Sequence, residues 1–440
     1  MTPPPVRTTD PRPGGAAPGA GPSSAAASEA ACGATAPPGA ERSPRILVVT
    51  PQPFYEDRGT PIALRYLLRA LTELGYAVDL LVFPIGREIE IPGVRYHRSG
   101  NPLRFRSIPI GFSWKKLFLD LLLWRKLRSL LRSERYVRVH AVEEAAFLAA
   151  ILCRGGGPPI TYDMASSIPE QLLQYRLFRG RAIQALLRRV ERWTLKNVDQ
   201  VICSGGLEER IRALAPALDC QPWIFPAEFG ATEPSAAASL RRRLCATDDE
   251  QIVLYAGSFS KYQGLDLLVD AIPAVLEAVP ASRFVVIGAP DEDAAAAMLD
   301  SVPSPFRDRV HIVPRIAKES IPSYLYAADV LVSPRSHGHN LPLKIFDYLQ
   351  SGRAIVATDI PAHRSVLDER VALLVEPTAA GLADGITTLL LEPALSKRLA
   401  ASAKRYAESR FGWPNFVTMT AKLVRPARVG AVEHPAPATP

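Results

Sequence analysis

A strand–loop–helix–strand unit with fully apolar strands narrows the folds open to this chain more than any other feature. It runs from Asp329 to Asp359, DVLVSPRSHGHNLPLKIFDYLQSGRAIVATD. Val330 to Val332 form a short continuous apolar run, as expected of a strand covered on both faces of a parallel sheet. Ser333-Pro334 stops it, and Arg335 to Asn340 make a polar loop. Pro342 suits a first helical position, where its missing N–H would have had no partner anyway. Ile345, Phe346 and Leu349 share one face of the helix that follows, and Lys344 and Asp347 share another. Gly352 ends the helix, and Ala354 to Ala357 start the next strand.

The same alternation fills both halves of the chain. In the first half, Arg45 to Thr50, Ala77 to Phe83, Tyr136 to His140, Pro159 to Asp163 and Val201 to Cys203 read as strands with helical stretches between them. In the second half, Ile252 to Ala256, Phe284 to Ile287, Arg309 to Val313, Asp329 to Val332, Ala354 to Ala357 and Val371 to Val375 repeat the pattern. The expected fold class is therefore α/β, with two Rossmann-like parallel-sheet domains facing a cleft. A helix beginning near Thr60-Pro61, with Thr60 as its cap and Gly59 just before it, follows the first strand. Strand, glycine-bearing loop and helix can lay an anion against free backbone N–H groups, and the absence of GxGxxG disfavours a nicotinamide site.

Lys344 is the oddity of the central unit. A cation in a first helical turn opposes the helix dipole by ~0.3–1 kcal/mol. An anion bound at that end removes the conflict; the alternative is a solvated pair between Lys344 and Asp347, three residues apart.

At these residues the chain resembles the family-4 glycosyltransferases, in the sub-branch that reads SPR…G.N.PLKI, and the resemblance covers nearly the whole chain between its two ends. It implies the GT-B fold, a nucleoside diphosphate sugar as donor substrate, no cofactor and no metal, and retention at the anomeric carbon. The family carries two acidic residues eight positions apart; Asp347 takes the second place, on the ribose, while His339 stands in the first. The loop from Gly338 through His339, Asn340 and Leu341 to Lys344 would meet the sugar and the phosphate, with Gly59 and Thr60 facing it across the cleft. In GSFSKYQG the family's Arg and Lys positions are Ser258 and Gln263, so beside Gly257 the grip on the diphosphate falls to Lys344, then Lys261 and Arg335. His140 stands where the family places a histidine near the transferred sugar or acceptor, although its usual companion is Val142 here and another family histidine is Ala165. The expected catalytic set is His140, Lys344 and Asp347. The implied layout is a disordered Pro/Ala/Gly-rich tail over 1–43, an acceptor domain over 44–227, a linker over 228–248, a nucleotide-sugar domain over 249–411, a helix crossing back over 412–426 and a disordered tail over 427–440.

A net charge of +8 points to an anionic partner. The segment 103–138 interleaves Trp114, Leu117, Leu121 and Trp124 with Lys115, Lys116, Arg125, Lys126 and Arg128, as an interfacial helix on an anionic membrane does; its alternative is a sheet-packing helix with a solvated basic face. No apolar run reaches the ~18 residues of a spanning helix, and no secretory h-region is present. Five scattered cysteines without CxxC spacing suit reduced thiols in the cytoplasm. Asp291-x-Asp293, before an alanine run, reads as a helix cap rather than a metal site. The expectation is a cytoplasmic glycosyltransferase of hexosyltransferase type, peripheral on the inner membrane face, acting on a lipid-linked or polysaccharide acceptor and binding no nucleic acid. The alternatives are an epimerase of the same fold and a non-catalytic scaffold.

Overall fold

Strands with no wet face need helices on both sides of their sheet. In the computed structural model, which describes residues 43–56, 59–109, 111–173, 175–226, 234–245, 247–337 and 342–424, they assemble into two all-parallel sheets. The first contains β1 (Arg45–Val49), β2 (Ala77–Val82), β3 (Val94–Arg98), β4 (Arg138–Val142), β5 (Ile160–Met164), β6 (Gln200–Cys203) and β7 (Asp219–Pro222), in the order β3-β2-β1-β4-β5-β6-β7. The second contains β8 (Gln251–Ala256), β9 (Ser282–Ala289), β10 (Val310–Pro314), β11 (Val330–Ser333), β12 (Ala354–Thr358) and β13 (Leu373–Val375), in the order β10-β9-β8-β11-β12-β13. The α/β class and the two Rossmann-like sheets are as the sequence led us to expect.

Strand order reverses between β1 and β4 in one sheet and between β8 and β11 in the other. Ligands of open α/β sheets bind outside the strand C-termini at such reversals. The segments that follow β1, β8 and β11 lead to Gly59, Gly257, Arg335 and Lys344, while His140 lies within β4 itself.

The two carboxyl edges face each other. A Cβ built on Gly59 would lie 3.8 Å from Leu343 Cδ1, so the loop after β1 meets the loop after β11. The turn at 205–207, after β6, packs against the short helix Pro361–Arg364, after β12. Lys318 donates from Nζ to Tyr66 Oη at 2.7 Å, joining the two halves again. One apolar cluster runs through both, from Val48 and Ile202 by way of Trp223 and Phe225 to Phe346, Phe411 and Phe416.

Several local expectations needed revision. Edge strands β3 (VRYHR) and β7 (DCQP) have no apolar run to announce them. Within the segment read as a linker, Pro234–Leu244 is helical, and Arg241 ties it to Asp329 and to the Ala327 carbonyl, both at 2.8 Å. Gly59 and Thr60 both lie inside the helix Gly59–Glu73, so Thr60 is not its cap. β4 continues two residues beyond His140. Pro342 precedes its helix, which runs from Lys344 to Ser351; the Pro342 carbonyl accepts from Ile345 N–H at 3.0 Å in a tighter entry turn. Asp291 does cap its helix, accepting from Ala294 N–H at 2.8 Å. Tail residues 1–42 and 425–440 lie outside the described residues.

Candidate functional site

The second sheet presents three loops to the cleft, after β8, β11 and β12. Gly257 opens the first. A Cβ there would lie 2.7 Å from Tyr255 Oη and 3.3 Å from Lys344 Nζ, so glycine is what lets the lysine lie against this backbone. Lys344 turns inward: its Nζ donates to Gln263 Oε1 at 3.1 Å and sits 4.0 Å from the centroid of the Tyr255 ring. No carboxylate among the described residues pairs with it, so the solvated Lys344–Asp347 pair is not what forms. Burial, and then the Arg335 charge, holds the Lys344 ammonium well below the ordinary lysine range.

Arg335 is the second cation. Its side chain lies over the Tyr262 ring at 5.0 Å and donates from Nε to the His337 carbonyl at 3.0 Å, with only 5% of the residue exposed. Burial lowers its pKa too. Lys344, a half-buried residue whose ammonium turns inward onto an amide oxygen and an aromatic face, is poised for an anion that would complete its solvation, and Arg335 lies in the same loop region. Lys261 lies exposed at the rim, in the turn Lys261–Gln263. Asp347 follows Lys344 by about one turn of the same helix and is half-buried. Gly338, His339, Asn340 and Leu341 lie outside the described residues.

Across the cleft, Gly59 is exposed and Thr60 half-buried. His140 is only 4% exposed: its Nε2 lies 3.4 Å from Asp163 Oδ2 and its ring packs edge-on to Trp223 at 6.4 Å. Trp223 Nε1–H donates to the other Asp163 oxygen at 2.6 Å. His140 thus sits beneath the sheet edge, within a buried hydrogen-bonded group.

Glu144 occupies the N-cap position of the helix Ala145–Cys153 without a side-chain capping hydrogen bond, and Glu143 precedes it. Glu144 makes an ion pair with Lys116, and Glu143 accepts from the Ser166 hydroxyl at 3.2 Å. Glu143 also adopts φ +52°, a left-handed conformation uncommon for a residue with a Cβ. Burial, reinforced by the Glu144 and Asp163 charges, pushes its carboxyl up to about 8. Because the folded value exceeds the unfolded one, its contribution to stability is full below about pH 4.5, the ordinary glutamate value, and is lost as pH rises through about 8. Glu143→Gln should therefore gain stability relative to the wild type as pH is raised from 5 to 9, read as melting temperature against pH; parallel curves would show that Glu143 is ionised throughout. Spacing gave no sign of this group.

The helix Trp114–Ser133, capped by Ser113, buries Leu119, Leu123, Leu127 and Leu130. Its outer face starts apolar, with Trp114 61%, Leu117 54% and Leu121 54% exposed, and turns cationic at Arg125, Arg128 and Arg132. Lys116 is drawn off this face by Glu144. Phe112, just before the helix, packs on Phe178 at 4.7 Å, which joins the patch to exposed Leu177, Leu186, Arg188 and Arg189. No helix among the described residues is long and apolar enough to cross a membrane.

Comparison with known proteins adds a chemical class to this geometry. A glycosyl transferase 4-like domain model matches residues 58–219, and a model of glycosyl transferases group 1 matches residues 250–392. A D-inositol 3-phosphate glycosyltransferase of Xylanimonas cellulosilytica is 32% identical over 222 residues, 49% of this chain and 51% of the relative. A phosphatidyl-myo-inositol mannosyltransferase of Mycobacterium tuberculosis is 27% identical over 168 residues, 37% of this chain and 43% of the relative. The chain thus spans about half the length of these curated relatives. The structure of a sucrose-phosphate synthase from Thermosynechococcus elongatus superposes with a TM-score of 0.71 at 22% identity, covering 87% of this chain and 98% of that one, which shows the shared fold. These matches do not favour the epimerase or scaffold alternatives.

Proposed function

We propose, from the premise that a chain matching glycosyltransferase models across both its halves belongs to the glycosyltransferases, that it moves a hexosyl group from a nucleoside diphosphate sugar to an acceptor hydroxyl. The observation that carries this reading is the inward-turned, carboxylate-free Lys344 beside Arg335, opposite Gly59 across the cleft. Charge develops on the diphosphate as it leaves. A fixed ammonium, a fixed guanidinium and backbone N–H groups stabilise that charge without reorganising. Asp347 holds the ribose, Lys261 adds a mobile charge at the rim, and the backbone at Gly257, Gly59 and Thr60 lines the phosphate path. The segment Gly338–Leu341 takes the sugar. His140, held by Asp163, shapes the floor on the acceptor side.

The transfer retains configuration and needs no metal or cofactor in this reading. The bond from the anomeric carbon to the phosphate oxygen breaks, the acceptor oxygen bonds on the same face, and its proton passes to the departing phosphate. The acceptor is a lipid-linked or polysaccharide hydroxyl. Phosphatidyl-myo-inositol, in the mycobacterial relative's name, is of the lipid kind. The apolar-to-cationic face of Trp114–Ser133 would bring the protein, from the cytoplasmic side, onto an anionic leaflet, where each basic residue near the surface adds ~1 kcal/mol.

The reading is tested by incubating the protein with UDP-, GDP-, ADP- and dTDP-sugars and assaying released nucleoside diphosphate, with and without phosphatidylinositol-containing vesicles. Release with none of these donors under either condition would refute it. Sedimentation with phosphatidylglycerol vesicles checks the surface: a Leu117→Asp/Leu121→Asp double variant should stay in the supernatant while melting as the wild type does.

A further inference from the structure

The segment after β11 carries Arg335, so whatever fixes its backbone there fixes that donor cation. On one side it is clamped by the loop after β8. Gly264, at φ +69°, approaches so closely that a Cβ would lie 1.9 Å from the Pro334 carbonyl oxygen, and Ser336 N–H donates to the Tyr262 carbonyl at 3.3 Å.

On the other side lies a chain of buried polar groups that the reaction itself does not use. Thr358, the last residue of β12, is fully buried and donates from Oγ1 to the Arg335 carbonyl at 2.5 Å. His363 is fully buried as well: its Nδ1 lies 2.7 Å from the Thr358 carbonyl oxygen and its Nε2 lies 2.9 Å from Ser333 Oγ. A carbonyl can only accept, so Nδ1 carries the proton, and Nε2 accepts from the Ser333 hydroxyl. Every proton then has one place. Ser333 gives to His363, His363 gives to the Thr358 carbonyl, and the Thr358 hydroxyl gives to Arg335. Burial pushes the imidazole down to about 4, which keeps the ring neutral and this assignment fixed near pH 7.

We infer that Thr358 and His363 are positioning residues for the donor diphosphate: they pin the Arg335 carbonyl so that the Arg335 side chain stays aimed at the ligand. A merely structural role would also leave these groups buried and paired, so the discriminating observable is ligand affinity at preserved stability. The inference rests on the donor reading above.

The test is calorimetric binding of UDP, GDP, ADP and dTDP to the full chain and to three variants. Thr358→Val keeps the side-chain volume and removes the hydroxyl; it should bind the preferred diphosphate roughly tenfold more weakly. Thr358→Ser should bind as the wild type does, since it restores the donor. Equal affinity of Thr358→Val and wild type overturns the inference and leaves the donor reading intact. Weakening by Thr358→Ser as large as by Thr358→Val also overturns it, because packing rather than the hydroxyl would then be responsible. A wild-type chain that binds none of the four diphosphates overturns the donor reading and this inference together. Should Thr358→Val not fold, Ser333→Ala is read in the same way: weaker binding supports the chain of donors, and unchanged binding overturns it.

Discussion

Lys344→Met should keep the fold and lose the chemistry. The methionine follows the lysine's aliphatic path across the Tyr255 ring but brings no charge, so the cost of burying an ammonium disappears. The melting temperature should be unchanged or higher. Turnover should fall roughly 10²–10³-fold, the usual loss when one preorganised group facing a developing negative charge is removed. The measurement pairs thermal melting with initial rates at saturating donor. Equal losses in both would mark Lys344 as a structural lysine, and unchanged turnover would place the leaving group elsewhere.

A second large effect is expected at Trp223. Its indole stacks on Phe225 at 4.9 Å and 14° and on Phe416 at 6.2 Å, and its N–H holds Asp163. Trp223→Ala should lower stability by about 3–5 kcal/mol through the lost packing. It also leaves a buried carboxylate oxygen without its donor. Trp223→Phe retains the stacking and loses only the N–H, so it should cost about 1–3 kcal/mol, from the unsatisfied carboxylate. Denaturant midpoints with wild type alongside decide the matter. A loss below about 1 kcal/mol for the alanine variant would mean that the aromatic packing around Trp223 contributes little to stability.

The sheets were legible because central parallel strands are apolar from end to end, and in this chain few other stretches look like that. Edge strands β3 and β7 were not, since a strand paired on one side only can be as polar as VRYHR or DCQP. Lys344 stood out because a cation in a first helical turn conflicts with local electrostatics. Its inward direction was not legible, because it depends on Gln263, 81 residues earlier in the chain. That glutamine had registered only as a missing lysine, when it is the lysine's acceptor. Glu143 was not legible for a different reason. A carboxylate near a helix start is usually a cap, and the left-handed backbone that aims this one at Ser166 leaves no trace in residue spacing. Thr358 and His363 carried no sign of a shared role in the sequence, because that role runs through atoms 23 and 30 residues apart.

Phe346 sits two residues after Lys344 on the same helix, and it meets Phe225 at 5.8 Å and Phe411 at 4.8 Å, one ring on each of the two stretches of chain that pass between the sheets. The helix proposed to hold the donor is therefore also packed, through Phe346, on rings from both of those stretches. A substitution at Phe346 would therefore disturb the seam between the halves and the footing of Lys344 together.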